Sequence, residues 1–181
     1  MIYTTKELLG FGETEYSIRI KVKEKMLYEI ERGFYCTKES ELFKSEVFIC
    51  KKYPQSIITG LSAFYFYNLT DVVPEKFYLA SLQHSFPIRR KDVSQSYQES
   101  SFFEVGLSEV VIDGNTIKIY DLERLLIELI RLKQRYPIDL YYEVLNSYRK
   151  IKKQLNFKKI NHYLEFFSNS KNLFLKIKEL L

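Results

Sequence analysis

The chain has 181 residues, a hydrophobic fraction of 46%, 15 Tyr, 14 Phe and a formal net charge of +5. That much apolar and aromatic material supplies a real core, which excludes wholesale disorder, and the length suits one moderate domain or a small module followed by a larger one. No apolar run approaches the roughly 20 residues that a membrane span requires, and the first residues lack a basic-then-apolar leader, so the chain is expected in the cytoplasm with no membrane partner.

Charge is unevenly spread. From Asn146 onward nine Lys/Arg stand against two acids, a net +7, whereas the remaining residues hold 19 Lys/Arg and 21 acids, a net −2. A shorter basic cluster comprises Arg19, Lys21, Lys23 and Lys25. Polyanions are natural partners for such a distribution, and a merely solvated basic face is the competing reading of the C-terminal part. Cys36 and Cys50 have neither metal nor redox spacing and read as small core residues.

In chain order, Thr4-Thr5-Lys6-Glu7 has the spacing of a capping box, Leu8 and Leu9 follow, and Gly10-Phe11-Gly12 breaks the helix. A second helix is predicted from Thr14 to Met26, with Ile18, Val22 and Met26 on its packed face. That leaves Thr14, Glu15, Tyr16, Ser17, Arg19 and Lys23 to face a partner, with Lys21 beside them. Residues 17–23 also alternate as a half-buried strand would. Helix is preferred because Leu27 to Tyr35 already alternates as a β-hairpin, with Arg32 next to Gly33 at its turn. Helix, glycine turn, basic helix and two-stranded wing make up the winged helix-turn-helix plan, in which the second helix enters the major groove and basic side chains reach phosphates. Only Met1-Ile2-Tyr3 precede the first helix, so either the start is truncated or the module is a reduced one.

Glu46 to Cys50 reads as a strand, and Ser56 as the cap of a helix running to Asn68. Gly60-Leu61-Ser62 invites comparison with nucleotidyltransferases, whose chemistry needs two carboxylates on the following strand to hold Mg²⁺. The following strand, residues 76–81, carries no acid, which argues against that reaction. Residues 82–101 are polar. Within them Phe86 to Arg90 is predicted as an edge strand, and Arg89-Arg90-Lys91 suits either a nucleic-acid contact or a solvated loop. Glu109–Ile112 and Thr116–Tyr120 form a hairpin around Asp113-Gly114.

The clearest helix opens at Asp121, with Leu122, Leu125, Leu126, Leu129 and Ile130 on one stripe and Pro137 as its stop. Arg124 interrupts that stripe and is expected to find an acid within the fold. Three more helices follow: one after Asp139 with Tyr141, Val144, Leu145, Tyr148 and Ile151 inward, one after Asn156 with Ile160, Tyr163, Leu164 and Phe167, and one after Ser168-Asn169-Ser170 with Leu173, Ile177 and Leu180. Lys152, Lys153, Lys158 and Lys159 fall on polar positions and are the candidate C-terminal phosphate contacts. His84 and His162 are isolated and no phosphate-cradling glycine loop is present, so no catalytic constellation, metal or cofactor is expected, and the chain reads as a non-enzyme.

The runs Tyr3-Thr4-Thr5-Lys6-Glu7-Leu8 and Met26 to Tyr35, then Ser62-Ala63, Leu69-Thr70-Asp71, Pro74 and Asp121-Leu122-Glu123-Arg124, occur in an order that resembles the AbiEi antitoxin family. The resemblance covers most of the chain. It implies an α+β protein with a winged helix-turn-helix over residues 1–38 and a C-terminal domain over 39–181, mixed strands and helix to 120 and helical from 121. It also implies a transcriptional autorepressor of a type IV toxin–antitoxin operon, with double-stranded promoter DNA as a partner and a cognate nucleotidyltransferase-like toxin as a functional partner with which no obligatory protein complex is formed. An interaction module without sequence-specific DNA binding, or an unrecognised nucleotide-processing enzyme, are the alternatives that the residues leave open.

Overall fold

The structure, a computed structural model, describes every residue except 39–45, 113 and 168. Among the described residues the chain is α+β, with eight α-helices and eight strands in two sheets. It divides into two compact units, Met1–Pro54 with Glu109–Ile117, and Gln55–Ser108 with Lys118–Leu181.

The first unit runs β1 (Ile2–Thr4), α1 (Thr5–Gly10), α2 (Glu15–Lys23), β2 (Tyr28–Glu31), β3 (Phe34–Cys36) and α3 (Glu46–Lys52). Its antiparallel sheet has the order β1-β3-β2, with Ile2 opposite Cys36 and Tyr28 opposite the same residue on the other side. The hairpin turns at Gly33, whose φ of +87° favours glycine, and β2 bulges between Glu29 and Glu31. Leu8, Ile18 and Leu27 form a small core, flanked by Tyr3, Val22 and Tyr35. Residues 17–23 are therefore helical. Met26 is not on the packed face as expected but 59% exposed, because α2 ends at Lys23 and Lys25 turns the backbone into the left-handed region at φ +59°. The expected strand at Glu46–Cys50 is also corrected: it is the start of α3, with Val47, Phe48, Ile49 and Cys50 all buried. Its Phe48 ring meets Phe34 edge-on at 5.3 Å.

The second sheet has the order β6-β5-β4-β8-β7, built from β4 (Ile57–Ile58), β5 (Phe77–Leu82), β6 (Val93–Gln98), β7 (Leu107–Ile112) and β8 (Asn115–Tyr120). It is mixed: β4 runs antiparallel to β5 and parallel to β8, and β5 runs parallel to β6. Ser56 does not cap a helix, since the chain first lays down β4 and Ser56 Oγ lies 3.1 Å from Ser81 Oγ. α4 starts later, at Gly60–Phe66, with Thr59 at its cap position making no side-chain capping bond. The edge strand expected at Phe86–Arg90 is absent, because those residues have no regular structure and the sheet edge is β6. The β7–β8 strands match the predicted hairpin, although Asp113 at its turn lies outside the described residues.

α5 (Leu122–Arg131) is the axis of the second unit, buried from Glu123 to Ile130. Asp121 caps it, Oδ1 accepting from Arg124 N at 2.8 Å. A helix enclosed on all sides must satisfy any charge it carries. Arg124, 0% exposed, does so through Glu128, one turn on: Oε1 accepts from Nε at 3.1 Å and Nη2 at 2.9 Å. Arg124 Nη1 donates to the carbonyls of Phe102 and Val105, and the Tyr120 and Phe167 rings lie 4.6 and 4.9 Å from the guanidinium carbon. The ion pair expected of Arg124 is thus present and fully internal. α6 (Ile138–Lys150) begins directly after Pro137, placing Asp139 in its first turn, and buries Tyr141, Val144, Leu145 and Tyr148. α7 (Phe157–Leu164) is capped by Asn156, and α8 (Ser170–Leu180) buries Ile177. Among the described residues, no helix is long and apolar enough to cross a membrane.

Candidate nucleic-acid interface

A capping box opens each of the first two helices, at Thr4 for α1 and at Thr14 for α2. At the first, Thr4 Oγ1 accepts from Glu7 N at 3.2 Å while Glu7 Oε2 accepts from Thr4 N at 2.7 Å. Glu7 also takes the Lys51 ammonium of α3 at 2.7 Å. Burial opposes the charge on Glu7, and the Lys51 and Thr4 hydrogen bonds outweigh it, holding the carboxyl below its ordinary range. At the second cap, Thr14 Oγ1 accepts from Ser17 N at 3.1 Å, and Ser17 Oγ accepts from Thr14 N at 2.8 Å and donates to Glu13 Oε2 at 2.7 Å. Lys21 reaches back to the other oxygen of Glu13, and this ion pair, with the Ser17 hydroxyl, holds the Glu13 carboxyl low.

These bonds separate the candidate residues on α2. Thr14, Ser17 and Lys21 lie close to the turn but are engaged in shaping it. Tyr16, Arg19 and Lys23 are exposed, and Arg19 and Lys23 have no ion-pair partner among the described residues. Glu15, Arg19 and Lys23 recur every fourth residue and therefore share one side of the helix, centred about 100° round from the buried Ile18. Arg32, exposed beside Gly33 at the tip of the β2–β3 hairpin, is likewise without an ion-pair partner there. Glu31, its neighbour, pairs with Lys52 of α3. The roles of Glu13 and Lys52 were not signalled by local sequence, since each meets its partner across a turn or from a separate helix.

The C-terminal candidates also divide. Lys152 and Lys153 lie in an exposed 3-10 turn after α6, and Lys158 is exposed on α7, all three without an ion-pair partner among the described residues. Lys159 is different: Nζ lies 2.8 Å from Asp121 Oδ2 and 3.8 Å from Glu123 Oε2. Burial works against its ammonium, and the Asp121 carboxylate outweighs burial and pushes the pKa upward. Tyr163 donates to the same Asp121 oxygen at 2.8 Å, and burial together with that carboxylate pushes its hydroxyl up to about 12. Lys159 thus closes a network at the start of α5. Arg90, from the short basic run at 89–91, binds Asp92 at 2.9 Å. His162 is exposed, 3.3 Å from Glu165.

Among the described residues no group of three or more His, Cys, Asp or Glu converges as a metal site. In comparison with known proteins, no protein-family model matches the chain and no curated protein matches it.

Proposed function

We propose that this protein is a DNA-binding antitoxin and transcriptional autorepressor of a type IV toxin–antitoxin operon, as the order of its AbiEi-like motifs implies. In this reading β1 to β3 with α1 and α2 act as a winged helix-turn-helix. The N-terminal half of α2 enters the major groove and Arg32 rides on the wing. The partners are double-stranded promoter DNA and a cognate nucleotidyltransferase-like toxin, in the cytoplasm. The observation that carries the reading is the set of uncommitted, exposed cations Arg19, Lys23 and Arg32 on successive elements of one small unit. Lys152, Lys153 and Lys158 are the C-terminal phosphate contacts of the same proposal, with Lys21 and Lys159 left to their internal carboxylates.

A mobility-shift series in salt, on the upstream DNA of the gene against a scrambled duplex, tests it. Removing one phosphate-binding cation flattens the log–log salt slope by about 0.9. Arg19→Ala and Arg32→Ala are each expected to weaken binding to the upstream fragment and flatten the slope by about that amount, whereas Lys159→Ala leaves the slope unchanged. Equal, weak, salt-erased binding to both duplexes overturns the proposal. A protein-interaction module is the second reading, favoured by Phe11 and Tyr16, 72% and 74% exposed on the same small unit.

A further inference from the structure

A cleft of about 810 Å³ opens in the second unit, within the range of roughly 300–1,000 Å³ typical of small-molecule sites. Tyr78 of β5, Ser94 and Gln98 of β6, and Tyr136 and Leu140 around the start of α6 contribute to its lining. The parallel register pairs Tyr78 with Ser94 and Leu82 with Gln98. Because side chains alternate along a strand, Tyr78, Ser94, Ser96 and Gln98 share one face of the sheet.

Gln98 is the unusual member. It is only 6% exposed, and its backbone carbonyl accepts from Gln83 N at 2.7 Å. Its side-chain carboxamide has no hydrogen-bond partner among the described residues. Buried polar groups are almost always paired, because an orphaned amide loses the water it left behind. A carboxamide presents an acceptor and a donor side by side, and the matching ligand edge is an amino group next to a ring nitrogen, the edge that Gln reads on adenine. Tyr78 and Tyr136 add aromatic faces to a lining that also includes Leu61, Leu132 and Leu140.

The charges at the cleft decide between a base and a nucleotide. Glu128 lines it but is already met by Arg124 and by the Thr59 hydroxyl, at 2.9 Å. That leaves Asp139, and Glu143, whose Oε1 accepts from Thr70 Oγ1 and Asp71 N, against the single guanidinium of Arg135. Such a lining holds no cluster of cations for a phosphate.

We propose that this cleft binds an uncharged purine base or nucleoside of the adenine type, read by the Gln98 carboxamide. The site is independent of the DNA-binding proposal. Calorimetry on the full chain with adenosine, and separately with adenosine 5′-monophosphate, tests it. Adenosine is expected to bind with a stoichiometry of one, the monophosphate about tenfold more weakly, and Gln98→Leu to lose about tenfold in adenosine affinity with an unchanged circular dichroism spectrum. Ser94→Phe, which fills the cleft from the edge strand and leaves Gln98 in place, is expected to abolish binding and serves if Gln98→Leu does not fold. Three results overturn the proposal: no heat with millimolar adenosine, tighter binding of the monophosphate, or adenosine binding that survives either folded variant unchanged.

Discussion

Replacing Glu128 with Ala measures what an unanswered guanidinium costs at the centre of the second unit. Glu128 and Arg124 are 2% and 0% exposed, so neither charge reaches bulk water. The variant deletes the two charge-assisted bonds at 3.1 and 2.9 Å and leaves the Thr59 hydroxyl, itself buried, without its acceptor. Breaking a buried pair by removing one partner costs about 3–5 kcal/mol. The Phe102 and Val105 carbonyls and the Tyr120 and Phe167 rings remain on the guanidinium, which places the loss near the low end, about 3 kcal/mol. The orphaned Thr59 adds about 1 kcal/mol. A total of about 4 kcal/mol is a large part of the 5–15 kcal/mol expected of a whole domain. The double variant Arg124→Met/Glu128→Leu removes both charges and orphans only Thr59 and the Val105 carbonyl, since Phe102 O keeps the Val105 N–H at 3.3 Å. It is expected to cost about 2 kcal/mol, less than the single change. Urea unfolding by circular dichroism, with hydrogen exchange read at the α5 amides, gives both numbers. A single variant that loses less than about 1 kcal/mol, or a double variant as unstable as the single, would refute the claim that charge pairing dominates this network.

Gly106→Ala attacks the same network sterically: a Cβ there would sit 2.4 Å from Arg124 Cβ, on a backbone with φ +79°. Left-handed strain and overpacking together are expected to cost about 2–5 kcal/mol, against about 1–2 kcal/mol for Gly12→Ala, whose Cβ meets nothing within 4 Å, and urea titration separates the two. Acid should loosen the first unit through Glu7. Its carboxyl is held below the ordinary 4.5, so its contribution is fully present above that value and is lost as pH falls through the folded-state pKa. Lys51→Met is expected to bring the Glu7 titration back toward 4.5 in an NMR pH series and to shrink the acid-induced loss, by a modest amount because the Glu7 side chain is 42% exposed. An unchanged Glu7 titration in Lys51→Met would rule out the ion pair as the cause.

What the sequence made legible follows from where a local pattern had a single interpretation. The stripe Leu125, Leu126, Leu129 and Ile130 after the Asp121 cap has no strand equivalent, so α5 was readable, and Arg124 within it pointed to an ion pair more than to a ligand contact, which the bond to Glu128 bears out. Val47-Phe48-Ile49-Cys50 had two interpretations. When every position of a short apolar run is buried, helix and strand leave the same trace, and the chain chose helix. β6 failed for the opposite reason: Ser94, Gln95, Ser96 and Gln98 carry no apolar alternation, because the strand lies at a sheet edge and lends polar side chains to the cleft. β4 is two residues long and is defined by its neighbours β5 and β8 rather than by its own sequence. At the candidate interface, residue type placed Thr14, Ser17 and Lys21 beside Arg19 and Lys23, and only the Thr14–Ser17 capping box and the bonds of Ser17 and Lys21 to Glu13 divided them. Lys158 and Lys159 diverge in the same way at the other end of the chain. Adjacent in sequence and identical in chemistry, they differ because a helical step of about 100° turns one to solvent and the other to Asp121. A charge count therefore overstates a binding face, and the cations left after internal pairing are the ones whose substitution should move a salt slope.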